Sequence, residues 1–302
     1  MNAGVAYAVA AFALWGILPA YWKAIERVPA REILCHRITW SLLFAGSLVV
    51  VRRRWRWILP AVRNPRVIAI FAGTGSILAI NWLTYIWAVN HGQIVGASLG
   101  YFINPLFSVL LGMVFLKERL RRWQWVALAV AGCGVAYLTF VHGSFPWITA
   151  VLVLTFGFYG LIRKTAPLDA LEGLSLETAA LFLPALAFLL YTDRTGSGSF
   201  GHADLRTSLL LAGTGVVTAL PLLWFAEGAR RITLASVGIL QYIAPTLQFL
   251  IGVLVYREPF ARTRLAGFSL VWTALAIYSV EGILAARNRR RSRRAAPHTP
   301  VP

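Results

Sequence analysis

The chain has 302 residues; 58% are aliphatic, aromatic or cysteine, 13% are charged, and the mean hydropathy is +0.68. A soluble domain carries roughly 45–50% apolar residues by a count that even includes Gly, so this composition excludes a soluble globular fold. The net charge of +18 does not indicate nucleic-acid binding, because the basic residues punctuate apolar runs and do not form a basic surface interleaved with stacking aromatics.

Ten segments reach the roughly 20 mainly apolar residues of a membrane span. They are 3–22, 32–51, 67–89, 94–116, 123–140, 146–163, 173–191, 207–229, 233–256 and 265–285. The fold class expected is therefore an all-α membrane protein, with the lipid bilayer as its environment. The first segment opens MNAGVAYAVAAFALWG, without a basic n-region, and reads as a membrane helix, not a cleaved signal. The second carries His36 and Arg37 about two turns inside its first end. An Arg at that depth either snorkels to the surface or serves coupling or gating. In the third, Asn81 and Tyr85 share a face with Trp82 adjacent, a pattern that serves cavity lining or interhelical hydrogen bonding.

The fourth span places Ser98, Tyr101, Pro105, Ser108 and Gly112 on one helical face, and the ninth repeats the spacing with Gly238, Gln241, Pro245, Gln248 and Gly252. Such a stripe of small, polar and kinking residues serves close helix packing or a cavity wall. Pro105 and Pro245 are expected kinks that free the carbonyls of Tyr101 and Gln241. The sixth span holds Phe158 and Tyr159, and the seventh holds Glu177. Glu118 and Glu258 read as caps or loop ion pairs, and Glu227 as the partner of nearby Arg230 or Arg231. Cys35 and Cys133 lie in apolar runs and read as buried small residues. No phosphate-binding loop, HExxH, GxSxG or paired-carboxylate pattern occurs. No enzyme activity, cofactor or metal is expected.

With the N-terminus cytoplasmic, the inner loops and tail hold 20 Lys and Arg and the outer loops 8, which predicts that both termini lie in the cytoplasm. The sequence also repeats. At a shift of 140, GTGSILAINWL (73–83) falls on GTGVVTALPLL (213–223), and 12 of 64 positions over 73–136 are identical. A shift of 141 pairs Gly16 with Gly157 and His36 with Glu177. Two halves of five spans each point in opposite directions, so residues 1–141 and 142–286 are expected to form inverted repeats. Residues 287–302 are expected to form a basic, disordered cytoplasmic tail.

Several stretches carry a resemblance: AYAVAAFALWGILPAYWKAI, VPAREILCHRITWS, NWLTYIWAVNHGQIVGASLGYFINPL and LGMVFLKERLRRWQW in the first half, then FGFYGLIRK, TALPLLWFAEGARRITLASVGILQYIAPTLQFL and VYREPF. In that order they resemble the RarD proteins, EamA-type members of the drug/metabolite transporter superfamily, over about residues 3–285. The resemblance implies a duplicated five-helix unit, cytoplasmic termini and a central cavity lined by helices 1, 3, 4, 6, 8 and 9. It also implies a permease; RarD proteins are linked to chloramphenicol sensitivity, and related carriers export amino acids and other metabolites.

The expectation is a secondary transporter moving a small amphipathic metabolite or drug across the bacterial inner membrane by alternating access, with export as the direction and protons as the candidate coupling ion. The expected substrate-binding residues are Trp15, Asn81, Trp82, Tyr85, Tyr101, Ser108, Phe158, Tyr159, Gln241 and Gln248. His36, Arg37 and Glu177 are the candidates for coupling or gating. The alternative is a membrane signalling or assembly protein that transports nothing.

Overall fold

A computed structural model describes residues 2–90, 94–142, 147–255 and 262–295, and its regular structure is entirely helical. In hydrocarbon, only helices and closed barrels can satisfy every backbone polar group, and the uninterrupted apolar runs favour helices. In chain order the helices are α1 (Ala3–Ile17), α2 (Pro19–Lys23), α3 (Ala30–Val51), α4 (Ile58–Arg63), α5 (Pro65–Asn90), α6 (Ile94–Leu116), α7 (Arg122–His142), α8 (Trp147–Thr165), α9 (Ala170–Arg194), α10 (Leu205–Arg231), α11 (Leu234–Leu240), α12 (Ile243–Leu250) with a π-helical turn at Ile251–Val255, and α13 (Arg262–Ala295). Among the described residues, eight helical stretches are long and apolar enough to cross a membrane.

The chain divides into two compact units, Met1–Glu118 with Phe145–Pro259, and Arg119–Ser144 with Phe260–Pro302. The second unit contains α7 packed antiparallel on α13. Small residues let these helices approach: a Cβ added to Gly134 would stand 3.0 Å from the Gly267 carbonyl oxygen. Arg121 Nε pairs with Glu281 Oε1 at 2.8 Å. Cys133, expected to be buried, faces outward, as an apolar side chain can where lipid is the solvent. Helix α13 runs on through Ala295, into the segment expected to be disordered, where its arginines are good helix formers.

The first unit holds the other helices. Helix α1 packs on α10 and α12, α3 on α9 and α10, α5 on α8 and α9, and α6 on α8 and α11. Two of its helical segments are broken. The run expected as one span at 3–22 is interrupted at Leu18, because Pro19 opens α2 as its first residue. The ninth span breaks at Gln241–Tyr242, four residues before Pro245, whose missing N–H and ring disrupt the preceding turn. The Gln241 carbonyl there accepts from the N–H of Ala244 at 3.2 Å. Pro105, by contrast, lies inside a continuous α6.

Three charged residues take positions that follow from burial. Arg163, the last residue of the sixth expected span and one of the 20 cations assigned to the inner side, is 1% exposed, packed in the space left by the missing side chain of Gly173. Glu118 caps α11, accepting from the N–H of Leu234 at 2.7 Å and of Ala235 at 3.0 Å. Glu227 pairs with Arg231 at 2.7 Å, one turn on. Glu258 lies outside the described residues, as does the side chain of Ser98.

Candidate functional site

The first unit encloses a cavity built by the broken and small-residue segments. Leu18, Pro19 and Trp22 come from the α1–α2 break, with Trp15 and Phe12 about one and two turns before it. Arg37 comes from α3, while Asn81, Trp82 and Tyr85 come from α5. Gly100, Tyr101 and Asn104 come from α6, and Leu152 and Phe156 from α8. The second break supplies Gln241, Ala244 and Gln248. The cavity volume is about 90 Å³, with an open mouth, so in this conformation it is smaller than the roughly 300–1,000 Å³ of drug-sized ligand sites.

The lining positions share one depth. They fall in the C-terminal half of α1, near the start of α3, in the last third of α5, and in the first halves of α6 and α8. Because α6 and α8 run parallel and α3 shares their direction while α1 and α5 run the other way, all of those positions belong to the same half of the bundle. Below them the unit is closed by an aromatic cluster. The Trp15 ring lies 5.6 Å from Phe156 and 5.7 Å from Phe225, and Phe12 and Tyr159 each lie 6.0 Å from Phe225. Deeper still, Lys164 Nζ stands 3.9 Å from Glu118 Oε1 and donates to the carbonyls of Ala229 and Ile232. This ties the ends of α6, α8 and α10 to the start of α11.

The cavity wall combines apolar rings with a few convergent polar groups. Tyr85 and Tyr101 meet edge to face at 5.6 Å. Asn81 donates to the Leu152 carbonyl at 3.1 Å and to Thr155 Oγ1 at 2.8 Å, so it lines the cavity and also joins α5 to α8. Gln248 donates to the Trp15 carbonyl at 3.3 Å. Asn104 Oδ1 and Gln241 Oε1 are buried acceptors without a hydrogen-bond partner among the described residues. Arg37 is 6% exposed and does not reach the surface. Its Nε donates to Thr218 Oγ1 at 3.0 Å, and its guanidinium lies over the rings of Trp82 at 4.1 Å and Trp22 at 4.7 Å.

Of the ten residues expected to bind substrate, the structure gathers Trp15, Asn81, Trp82, Tyr85, Tyr101, Gln241 and Gln248 around this cavity, joined by Arg37. Ser108 lies two turns deeper on α6, where Gly238 of α11 packs against its Cβ and the Pro105 carbonyl. Tyr159 is in the core beneath the cavity, and Phe158 turns outward against Phe107 and Phe115. Sequence reading did not single out Phe12, Trp22, Asn104 or Phe156. Asn104 carried a usable signal, being a polar residue inside an apolar span.

His36 and Glu177 lie outside the cavity, at opposite ends of the antiparallel pair α3–α9. The buried His36 accepts from Trp40 Nε1 at 3.2 Å, and its Nε2 stands 3.8 Å from Glu32 Oε1. Glu32 in turn accepts from Ser199 N and Oγ at 2.6 and 2.9 Å, holding the 195–204 loop. Glu177 accepts from Thr74 Oγ1 at 2.8 Å and Tyr159 OH at 3.4 Å, and its Oε1 lies 3.8 Å from Arg163 Nε.

Comparison with known proteins places this architecture. Residues 2–140 match the EamA-like transporter family. The chain is 45% identical to a protein named RarD from Streptomyces exfoliatus, over 97% of this chain and 94% of the relative. It is 46% identical to the uncharacterized transporter YojE of Bacillus subtilis, over 91% and 93% of the two. A crystal structure with 20% sequence identity superposes with a TM-score of 0.69, covering 92% of this chain and 98% of the other, which shows a shared fold.

Proposed function

We propose, for a chain that belongs to the RarD family of EamA-like transporters and is thus a multi-pass transporter of the bacterial inner membrane, that it exports a small amphipathic, ring-bearing solute by alternating access. The observation that carries the reading is the cavity itself: a half-open space lined by rings, with buried amides and a guanidinium in its wall.

Alternating access in such carriers comes from two inverted repeats rocking about a fixed site. Packing within the first unit supports that arrangement of residues 1–141 and 142–286. Exchanging each helix for its counterpart converts α6 on α8 into α12 on α1, α5 on α8 into α10 on α1, and α5 on α9 into α10 on α3. The exchange reaches single residues. A Cβ at Gly16 would stand 2.7 Å from Leu247 Cβ, and one at Gly157 would strike the Phe107 ring; Gly16 pairs with Gly157 and Phe107 with Leu247 in the repeat. With both termini cytoplasmic, as the basic-residue bias indicates, the cavity faces outward and the Glu118–Lys164 cluster closes the cytoplasmic side. His36 and Glu177 are then gating residues at opposite ends of α3–α9, and the groups whose protonation would couple transport to a proton gradient.

Comparing spent medium from deletion and overexpression strains identifies the exported solute. For that solute, Gln241→Leu should lower export about tenfold, the equivalent of one lost hydrogen bond of about 1.4 kcal/mol, while expression and detergent stability hold. Normal export with lowered stability would instead make Gln241 a packing residue.

A further inference from the structure

We propose that the transported solute is an organic anion and that Arg37 binds its acidic group. This rests on the transporter reading and adds the substrate class. A guanidinium stays protonated in proteins, and a cation inside a membrane is costly unless something compensates it. Two other cations packed into the first unit have carboxylates: the buried Arg163 faces Glu177, and the half-buried Lys164 faces Glu118. Arg37 has none among the described residues, and neither Asp nor Glu lines the cavity. Trp22 and Trp82 offer it their π faces, which attract a cation without neutralising it. Thr218 occupies only Nε.

The remaining guanidinium donors match the geometry of a carboxylate or a phosphate. A second observation concerns the rest of the ligand. Asn104 Oδ1 and Gln241 Oε1, on residues 3% and 4% exposed, are acceptors in the same wall with no donor among the described residues, so the solute that fills the space brings an N–H or O–H to them. Phe12, Trp15 and Phe156 provide the surface for a ring. A free ammonium would find no counter-ion here and would meet the like charge of Arg37.

The full chain, purified in detergent, can be titrated with 4-hydroxybenzoate, 4-hydroxybenzamide and 4-hydroxybenzylamine, which share ring and hydroxyl but differ in charge. The anion should bind at least about tenfold more tightly than the amide, and the amine should not bind. Arg37→Met should weaken anion binding about thirtyfold, as loss of one partner of a buried charge pair does, and change amide binding by less than about threefold. Arg37→Lys, which keeps the charge, should preserve the order of anion over amide. If Arg37→Met does not fold, the order in the unmodified protein and in Arg37→Lys decides. Equal or stronger binding of the amide or amine, an intact anion affinity in Arg37→Met, or no anion binding would overturn the assignment. The transporter reading is tested separately by the export of the Gln241→Leu variant.

Discussion

Replacing Glu177 by leucine should destabilise the detergent-solubilised protein by about 3–5 kcal/mol, because it leaves a buried cation without its counter-charge. Glu177 and Arg163 are each 1% exposed. Arg163 also donates to the Ala170 carbonyl at 3.0 Å, but its Nε and Nη1 have no hydrogen-bond partner among the described residues, so the carboxylate is the main compensation. The double variant Glu177→Leu/Arg163→Met should recover most of the loss, since two apolar groups need no counter-charge. Thermal unfolding of the four proteins measures the coupling. Additive single losses would show that the two side chains do not act as a pair. A folded Glu177→Gln variant tests coupling as well: in vesicles with an imposed pH gradient it should lose the gradient response yet retain solute exchange, which moves no net proton.

Gly215→Val is expected to be the next most damaging change. A Cβ at Gly215 would stand 2.6 Å from Trp40 Cβ and closer still to the Trp40 carbonyl, so α10 and α3 would have to separate. Overpacking of this kind costs about 1–3 kcal/mol and more where backbone must move. The separation would also stretch the bond from Arg37 to Thr218, one turn along the same interface, so solute export should fall together with stability. Gly46 of α3 is the matched control, with nothing within 4 Å of its Cβ position. Gly46→Ala should be neutral or stabilising by up to about 1 kcal/mol, the helix-propensity difference. Equal melting temperatures for Gly215→Val and Gly46→Ala would show that α3 and α10 are not in such contact.

The helices and much of the cavity wall were legible in the sequence because a bilayer imposes long apolar runs, and polar residues inside them are costly enough to mark themselves. Asn81, Tyr101 and Gln241 stood out on that ground, and all three line the cavity. Face alone did not give depth. Tyr101 and Ser108 share a helical face, but seven residues separate them by about 10 Å along the axis, and at the lower level Gly238 brings α11 against α6. Tyr159 is likewise one turn below Phe156, in the aromatic cluster under the cavity. Phe158 is two residues from Phe156, about 200° around the helix, and so points outward. The burial of Arg163 was hidden by its position near the end of an apolar run, next to Lys164, where a loop cation is the simpler reading. Pro19 marked a break before a second short helix, but the apolar run continues through it and conceals the interruption.

Cysteine labelling tests the central claim, that the cavity is reached alternately from the two sides of the membrane. Cys35 and Cys133 are first replaced by alanine, and Gln248, half-buried in the cavity wall, by cysteine. A membrane-impermeant maleimide is then applied to right-side-out and to inverted membrane vesicles. With both termini cytoplasmic, as proposed, the account predicts labelling in both preparations, faster from the periplasmic face. Labelling confined to one face in both preparations would contradict it.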